Sequence, residues 1–358
     1  MAKDTFRVGV IGCGGIAQHH LKAIKNLEDT ELIAISEVVP ERLEQQKEKW
    51  EVEQGFIDYE EMLEKVELDA VHVCTFNQAH AAPSIAAMKA GLHVMVEKPM
   101  SAKLSDSLEM VKTAHETGKN LHVAIIPRFG PMNLAAKGIV DSGDIGEIYY
   151  AETVADRRRG VPGGSFLRQD MAGLGAVADI GIYALDAALH IMGFPKPVAV
   201  SGMSMTMIAN KTPAPKHILG GLFKYNHEEI EVDEFATGWI RFENGAVLVF
   251  KTSWAMHMDT LGGTFFLGDK GGIRLSPEFK VFRDEWGYLV DITPQVATVE
   301  RQAQFDTESR HFYNALREGQ PSPVDPDSVL ISDVIIDGIV RSARQGGGEV
   351  SVEVPTFE

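Results

Sequence analysis

Up to about residue 126 the chain alternates short, unbroken apolar runs with segments whose apolar positions recur every three or four residues. The runs Phe6–Ile11, Leu32–Val38, Gln54–Ile57, Ala70–Thr75, His93–Glu97 and Leu121–Ile126 predict strands. Between them, Ile16–Leu27, Pro40–Trp50, Tyr59–Lys65, Ala79–Ala90 and Ser105–Thr117 predict helices. Gly91 and Gly118 stand just past two of these helices, where a left-handed cap favours glycine. Strands that are apolar at successive positions are covered on both faces. The βαβα rhythm therefore predicts a doubly wound parallel sheet of the Rossmann type over residues 1–126.

Beyond Pro127 the pattern changes. One helix, Met132–Asp141, leads into longer alternating segments divided by hairpin signals. Glu243-Asn244-Gly245 separates Ala236–Phe242 from Val247–Ser253, and Asp269–Gly272 separates Gly263–Leu267 from Ile273–Leu275. Asp284–Gly287 does the same between Lys280–Arg283 and Tyr288–Ile292. Two late helices, about Gln304–Arg317 and Ser328–Arg344, precede a last short strand. Residues 127–358 thus read as an α+β domain built on a large, mostly antiparallel sheet.

Composition narrows the function classes. The 358 residues are 44% hydrophobic and 24% charged, as in a globular protein, and the net charge of −17 argues against nucleic acid as a partner. The N-terminal stretch has no charged segment leading into a long apolar one, and the apolar runs are too short to span a bilayer. A cytoplasmic protein without a membrane partner is the expectation. Cys13 and Cys74 sit in apolar strand-like sequence and read as reduced core thiols. No Cys–His cluster, HExxH or G-x-S-x-G is present, so neither metal nor acyl-enzyme chemistry is indicated.

The strongest motif is Gly12-Cys13-Gly14-Gly15-Ile16-Ala17, directly after a strand and opening a helix. Gly12 permits the tight turn, Gly14 lets backbone approach a pyrophosphate, and Ala17 allows close helix–strand packing. The helix start, with Gly15 and Ile16, offers its unpaired N–H groups to the anion. The second strand ends in Ser36-Glu37, where a carboxylate can bind ribose hydroxyls and repel a 2′-phosphate. NAD is therefore preferred over NADP.

A second constellation follows at Glu97-Lys98-Pro99. It lies at the C-terminal edge of the predicted parallel sheet, where ligands bind in such folds. Pro99 keeps Lys98 extended and projecting. Farther on, at about 100° per residue, Asp179, Tyr183, Asp186 and His190 share one stripe of a predicted helix that is otherwise apolar. Such a stripe is either a thin solvated face or the wall of a site. His72, inside an apolar strand, reads as a satisfied core histidine, and His190 as a structural partner. Trp254 and His257 are weaker pocket candidates.

The glycine loop, Thr75-Phe76-Asn77 with His80, and Gly91–Pro99 together resemble the glucose–fructose oxidoreductase, inositol dehydrogenase and rhizopine-catabolism (Gfo/Idh/MocA) family. The resemblance extends through Arg128-Phe129, Gly143–Gly146 and Gly173–Gly193. It implies that Lys98 is catalytic, that its bond to Pro99 is often cis, and that Asp179 and Tyr183 complete the catalytic set. It implies further that Thr75, Asn77, His80, Glu97 and Lys98 serve the cofactor. Arg128, Arg157 of the Arg157–Arg159 run, and Asp186 are candidates for substrate binding. Many members have histidine where this chain has Tyr183, which leaves open whether the phenol or a water takes the proton.

The activity so implied is hydride transfer between NAD and a CH–OH carbon of a sugar, cyclitol or related polyol. The family also contains NAD-dependent glycosidases that oxidise transiently, and nucleotide-sensing proteins without catalysis. Its open second-domain sheet implies a homodimer or homotetramer.

Overall fold

The computed structural model describes residues 5–211 and 225–357, so the first four residues of the N-terminal stretch lie outside it. The chain forms two compact units. The first comprises Met1–Phe129 and Val299–Leu330, with the last two residues; the second comprises Gly130–Thr298 and Ile331–Thr356. A division at 126/127 falls close to the end of the first of these segments. That division, however, assigns helix Arg301–Glu318 to the second domain, whereas its contacts belong to the first unit.

In the first unit, strands β1 (Phe6–Ile11), β2 (Thr30–Ser36), β3 (Gln54–Phe56), β4 (Ala70–Val73), β5 (His93–Glu97) and β6 (Leu121–Ala124) pair in parallel in the order β3-β2-β1-β4-β5-β6. Helices α1 (Ala17–Asn26), α2 (Pro40–Trp50), α3 (Tyr59–Lys65), α4 (Ala81–Lys89) and α5 (Leu104–Thr117) make the crossovers. The order reverses between β1 and β4, the switch point at which such sheets bind ligands beyond their C-terminal ends. Phe312 and Tyr313 of helix Arg301–Glu318 are fully buried in one cluster with Phe6, Val8, Val10 and Leu21.

The second unit opens with α6 (Pro131–Asp141) and β7 (Ile148–Asp156). Short helices α7 (Gln169–Ala172) and α8 (Ala176–Asp179) lead to the longer α9 (Gly181–Ile191). Strands β8 (Pro197–Met205), β9 (Phe235–Phe242), β10 (Val247–Ser253), β11 (Phe265–Gly268), β12 (Gly271–Arg274), β13 (Lys280–Glu285), β14 (Tyr288–Ile292) and β15 (Val350–Ser351) complete a nine-stranded sheet, ordered β14-β13-β12-β11-β7-β10-β9-β8-β15. β7 and β10 pair in parallel, and the remaining pairs are antiparallel. The β11–β12 hairpin is tighter than its sequence suggests, because strand pairing runs up to Asp269-Lys270 and takes in Gly271 and Gly272.

One face of this sheet packs on helices. Leu248, Phe250 and Ile240 are fully buried there, and Thr153 Oγ1 donates to the Ala184 carbonyl of α9 at 3.0 Å. Gly202 and Gly238 make room for Ile339 of helix Pro326–Arg344, since a Cβ on either would come within about 3 Å of that side chain. The other face carries the Tyr150, Trp239 and Phe265 rings and the Lys251–Glu152 ion pair at 2.6 Å. Trp239 remains 46% exposed, and Tyr150 and Phe265 are partly exposed. Among the described residues no single helix is long and apolar enough to cross a membrane.

Candidate active site

The glycine loop follows β1 as its sequence requires. Gly12 adopts φ +85°, and a Cβ there would sit 2.9 Å from the backbone of Cys74 and Thr75, so only glycine fits. At Gly14 and Gly15 an added Cβ would meet nothing within 4 Å. The open ground beside α1 is what a pyrophosphate needs for close approach to main-chain N–H groups. Ala17 is completely buried, and Ile16 precedes the helix.

Glu37, at the end of β2, is 4% exposed. Its carboxylate accepts from the Cys13 N–H of the glycine loop and from the Val39 N–H, each at 3.0 Å. Arg42 Nη1 lies 3.3 Å from the same carboxylate. The acid thus stands against the glycine loop that follows β1. Burial, and then the Glu37 charge, pushes the Cys13 thiol up to about 12. Cys74 is raised well above the ordinary thiol value by burial, so both remain inert core thiols.

Lys98 is buried at the C-terminal end of β5, and its bond to Pro99 is cis. Its main chain is fixed from two sides. The Lys98 N–H donates to Glu97 Oε2 at 3.1 Å, and His80 Nδ1 lies 2.8 Å from the Pro99 carbonyl. Burial holds His80 below the ordinary histidine range, so the neutral ring has one N–H to give and Pro99 is its nearer acceptor. Thr75 Oγ1 donates to the Ala79 carbonyl at 2.9 Å, and Asn77 is buried in the same turn. Thr75, Asn77, His80, Glu97 and Lys98 therefore cluster at the ends of β4 and β5.

Behind this edge lies a polar cluster that no local motif announces. His20 Nε2 bonds Glu97 Oε1 at 2.8 Å, His20 and His72 meet through their Nδ1 atoms at 3.0 Å, and His72 Nε2 meets the Tyr313 hydroxyl at 2.8 Å. Burial alone would raise the Glu97 carboxyl. The His20 hydrogen bond and the charges of His20 and Lys98 outweigh it, so Glu97 titrates below the usual glutamate range. Nearby, burial and then the Glu97 charge push the Glu308 carboxyl well above that range. It faces His122 Nε2 at 3.5 Å. Two buried carboxyls in one cluster are thus driven apart, Glu97 to the anion and Glu308 to the acid. His72 is completely buried and fully engaged, in keeping with its reading as a core histidine.

In the second unit, Asp179 closes the short α8 rather than lying in one helix with Tyr183. The chain bends by 46° at Ile180. The single-helix stripe is therefore incorrect for Asp179, because the apolar periodicity runs on across a break in backbone direction. A remote residue starts α8: Asp233 Oδ1 and Oδ2 accept from the Gly175 and Val177 N–H groups at 2.7 and 3.0 Å. The Asp233 carbonyl accepts from the Ala176 N–H at 2.9 Å. Asp179 is 8% exposed and its Oδ2 accepts from the Trp254 indole N–H at 2.9 Å, with Arg157 Nη1 at 3.9 Å. Trp254, a weak candidate in sequence, is fully buried and holds the aspartate.

Tyr183 is half-buried on the first turn of α9. Asp186 is completely buried, with Ser332 Oγ at 3.4 Å, so it faces the interior and not a cleft. Arg128, also buried, donates to Ser328 Oγ at 3.0 Å within the first unit. Among the described residues no group of three or more His, Cys, Asp or Glu could hold a metal ion.

Comparison with known proteins places these parts in a family. Residues 6–125 match the GFO_IDH_MocA oxidoreductase family, NAD-binding Rossmann fold, and residues 133–274 match the GFO/IDH/MocA C-terminal domain. The chain is similar to D-glucoside 3-dehydrogenase of Escherichia coli K12, at 30% identity over 97% of both proteins. It is also similar to scyllo-inositol 2-dehydrogenase (NAD(+)) of Bacillus subtilis, at 27% identity over 95% of this chain and 94% of that one. In fold it is similar to levoglucosan dehydrogenase solved with NADH, at a TM-score of 0.83 and 22% identity, over 99% of this chain and 100% of the other. The glycine cradle with Glu37, the Glu-Lys-Pro edge and full-length likeness at 30% identity converge: the chain belongs to the Gfo/Idh/MocA family of oxidoreductases, and its first unit carries that family's NAD-binding Rossmann domain.

Proposed function

We propose that this protein is an NAD-dependent dehydrogenase acting on a secondary hydroxyl of a sugar, cyclitol or related polyol. The observation that carries the reading is the buried Lys98, pinned through its own N–H and the next carbonyl at the binding edge of the parallel sheet. A side chain so fixed is pre-organised to donate to a substrate oxygen and to steady alkoxide charge as it develops. The names of the glucoside and inositol relatives support the substrate class.

The chemistry that bound NAD supplies is hydride acceptance, and Gly12, Gly14, Gly15, Glu37, Thr75 and Asn77 are the residues that would hold it. Asp179, oriented by Trp254, fixes a water or the substrate hydroxyl whose proton must leave. Tyr183 is the other acceptor candidate, and a phenol with an ordinary pKa near 10 serves only where its anion is stabilised.

A turnover screen tests this reading. Sugars, inositols, sugar acids and aryl glycosides are offered with NAD and separately with NADP, following NADH and released aglycone together. The expected result is NADH formation with one polyol class. Aglycone release without net NADH, or NAD binding with no turnover across the panel, would overturn it.

Glu37 gives a separate prediction about the cofactor. With the carboxylate in place, a 2′-phosphate would meet a buried negative charge. In Glu37→Ser that repulsion is gone and Arg42, at 3.3 Å from the present carboxylate, faces the added phosphate instead. The NADP-to-NAD ratio of kcat/KM should rise at least about tenfold, or about 1.4 kcal/mol. An unchanged ratio removes Glu37 from the specificity assignment.

A further inference from the structure

The contacts behind Glu97 form one continuous row. An ionised carboxylate only accepts, so the His20 nitrogen at 2.8 Å carries N–H toward it. His20 Nδ1 and His72 Nδ1 stand 3.0 Å apart, so one of the two carries the proton between them. His72 Nε2 in turn meets the Tyr313 hydroxyl at 2.8 Å. The row thus runs from Tyr313 through His72 and His20 to Glu97, whose second oxygen receives the Lys98 N–H.

Two functions fit a row of buried donors: carrying a proton or fixing a geometry. The far end decides between them. Tyr313 is completely buried and packs against Phe6 and Phe312, with ring centroids 5.2 and 5.1 Å away. Burial also raises its hydroxyl well above the ordinary tyrosine range, so it is a poor site from which to lose a proton. A path that ends inside an aromatic cluster delivers no proton to water. Polar groups spent in such a place, where Val8, Val10 and Met95 are wholly apolar neighbours in the core, fix orientation.

We propose that Tyr313, His72 and His20 are positioning residues: a hydrogen-bond chain that holds the Glu97 carboxylate in place as acceptor for the Lys98 main-chain N–H, and so sets where the lysine stands. The proposal rests on reading Lys98 as the catalytic lysine. It extends the working site from the sheet edge to helix Arg301–Glu318, and it adds three side chains that make no contact with substrate.

The test uses the full-length protein labelled with 15N-histidine and 15N-lysine, with resonances assigned by substitution. His20 Nε2 should appear protonated. Tyr313→Phe keeps the ring's volume and removes the terminal hydroxyl, and it should move the His72 Nε2 resonance. His20→Leu should shift the Lys98 amide resonance and speed its hydrogen exchange at least tenfold. His20→Gln, which keeps a donor toward Glu97, should restore most of that protection.

With the polyol found in the turnover screen, His20→Leu should lower kcat at least tenfold, with KM for NAD within threefold of the parent and His20→Gln near it. The proposal is overturned if His20→Leu leaves the Lys98 amide unmoved, if Leu and Gln behave alike, or if His20 Nε2 carries no proton. Those resonance outcomes need no turnover. A Lys98 that proves dispensable in kinetics, with the His20 Nε2 proton and the amide shift as stated, overturns the catalytic reading and leaves the hydrogen-bond chain standing.

Discussion

Lys98→Met should cut turnover by about three orders of magnitude while NAD affinity stays within about threefold. The magnitude follows from what one pre-organised donor contributes to a developing oxyanion in a water-poor site, about 10²–10³ in kcat, at a residue whose main-chain N–H is held by Glu97 and whose neighbour Pro99 is held through its carbonyl by His80. Methionine is chosen because it matches the lysine stem in length and flexibility, so packing around this buried position is conserved. The main-chain bond from residue 98 to Glu97 does not depend on the side chain, and the glycine cradle is untouched. Stopped-flow NADH formation and calorimetric titration with NAD separate the two effects. Turnover within tenfold of the parent would remove Lys98 from the chemistry.

Gly175→Ala is expected to be the most damaging small substitution in the second unit. The added Cβ would lie 1.8 Å from the Asp233 carbonyl oxygen and within 3 Å of that residue's carbonyl carbon and nitrogen. These are backbone atoms, so relief requires movement of the segment itself. That segment supplies all three acceptors at the start of α8, to the N–H groups of residues 175, 176 and 177. Displacing it releases buried donors and shifts Asp179 against the Trp254 indole.

A loss of about 3 kcal/mol or more, the upper end of the usual range for one substitution, is expected from such buried disruption, which corresponds to a melting point lower by roughly 10 °C. A fall of at least about a hundredfold in kcat/KM should accompany it, because a misplacement near 1 Å has that scale of cost. Gly138→Ala is the control: it lies within α6 with nothing within 4 Å of an added Cβ, so it should be neutral or slightly stabilising. Equal melting points for the two variants would refute the account of how α8 is held.

What could be read from the sequence was local. The Gly12 loop, the alternation of strands and helices, and Glu97-Lys98-Pro99 each declare themselves within a dozen residues, because turn sterics and apolar periodicity act over that range. The bend at Ile180 escaped because Ile180, Ile182 and Leu185 keep a helical period through a change of direction. Asp233 as the partner of α8 escaped because it is 58 residues from Gly175. The hydrogen bonds behind Glu97 link positions 52, 77 and 241 residues apart, and a histidine within an apolar strand gives no hint of which partner satisfies it. Asp186 shows the reverse case, a polar residue in line with a presumed site that the fold turns inward toward Ser332.

The return of helix Arg301–Glu318 to the first unit has a consequence for how the molecule is made. When Phe129 has been synthesised, every strand-forming residue of the first sheet exists, but Phe312 and Tyr313 do not. Gly130–Thr298 must be translated before they follow. At about 5–20 residues per second, the sheet face that carries His72 and His122 waits roughly 10–30 s for its cover. During that interval its polar row has water, not Tyr313 and Glu308, as partner. The edge that holds Lys98 therefore reaches its final form late in the life of the nascent chain, after most of the second unit has left the ribosome.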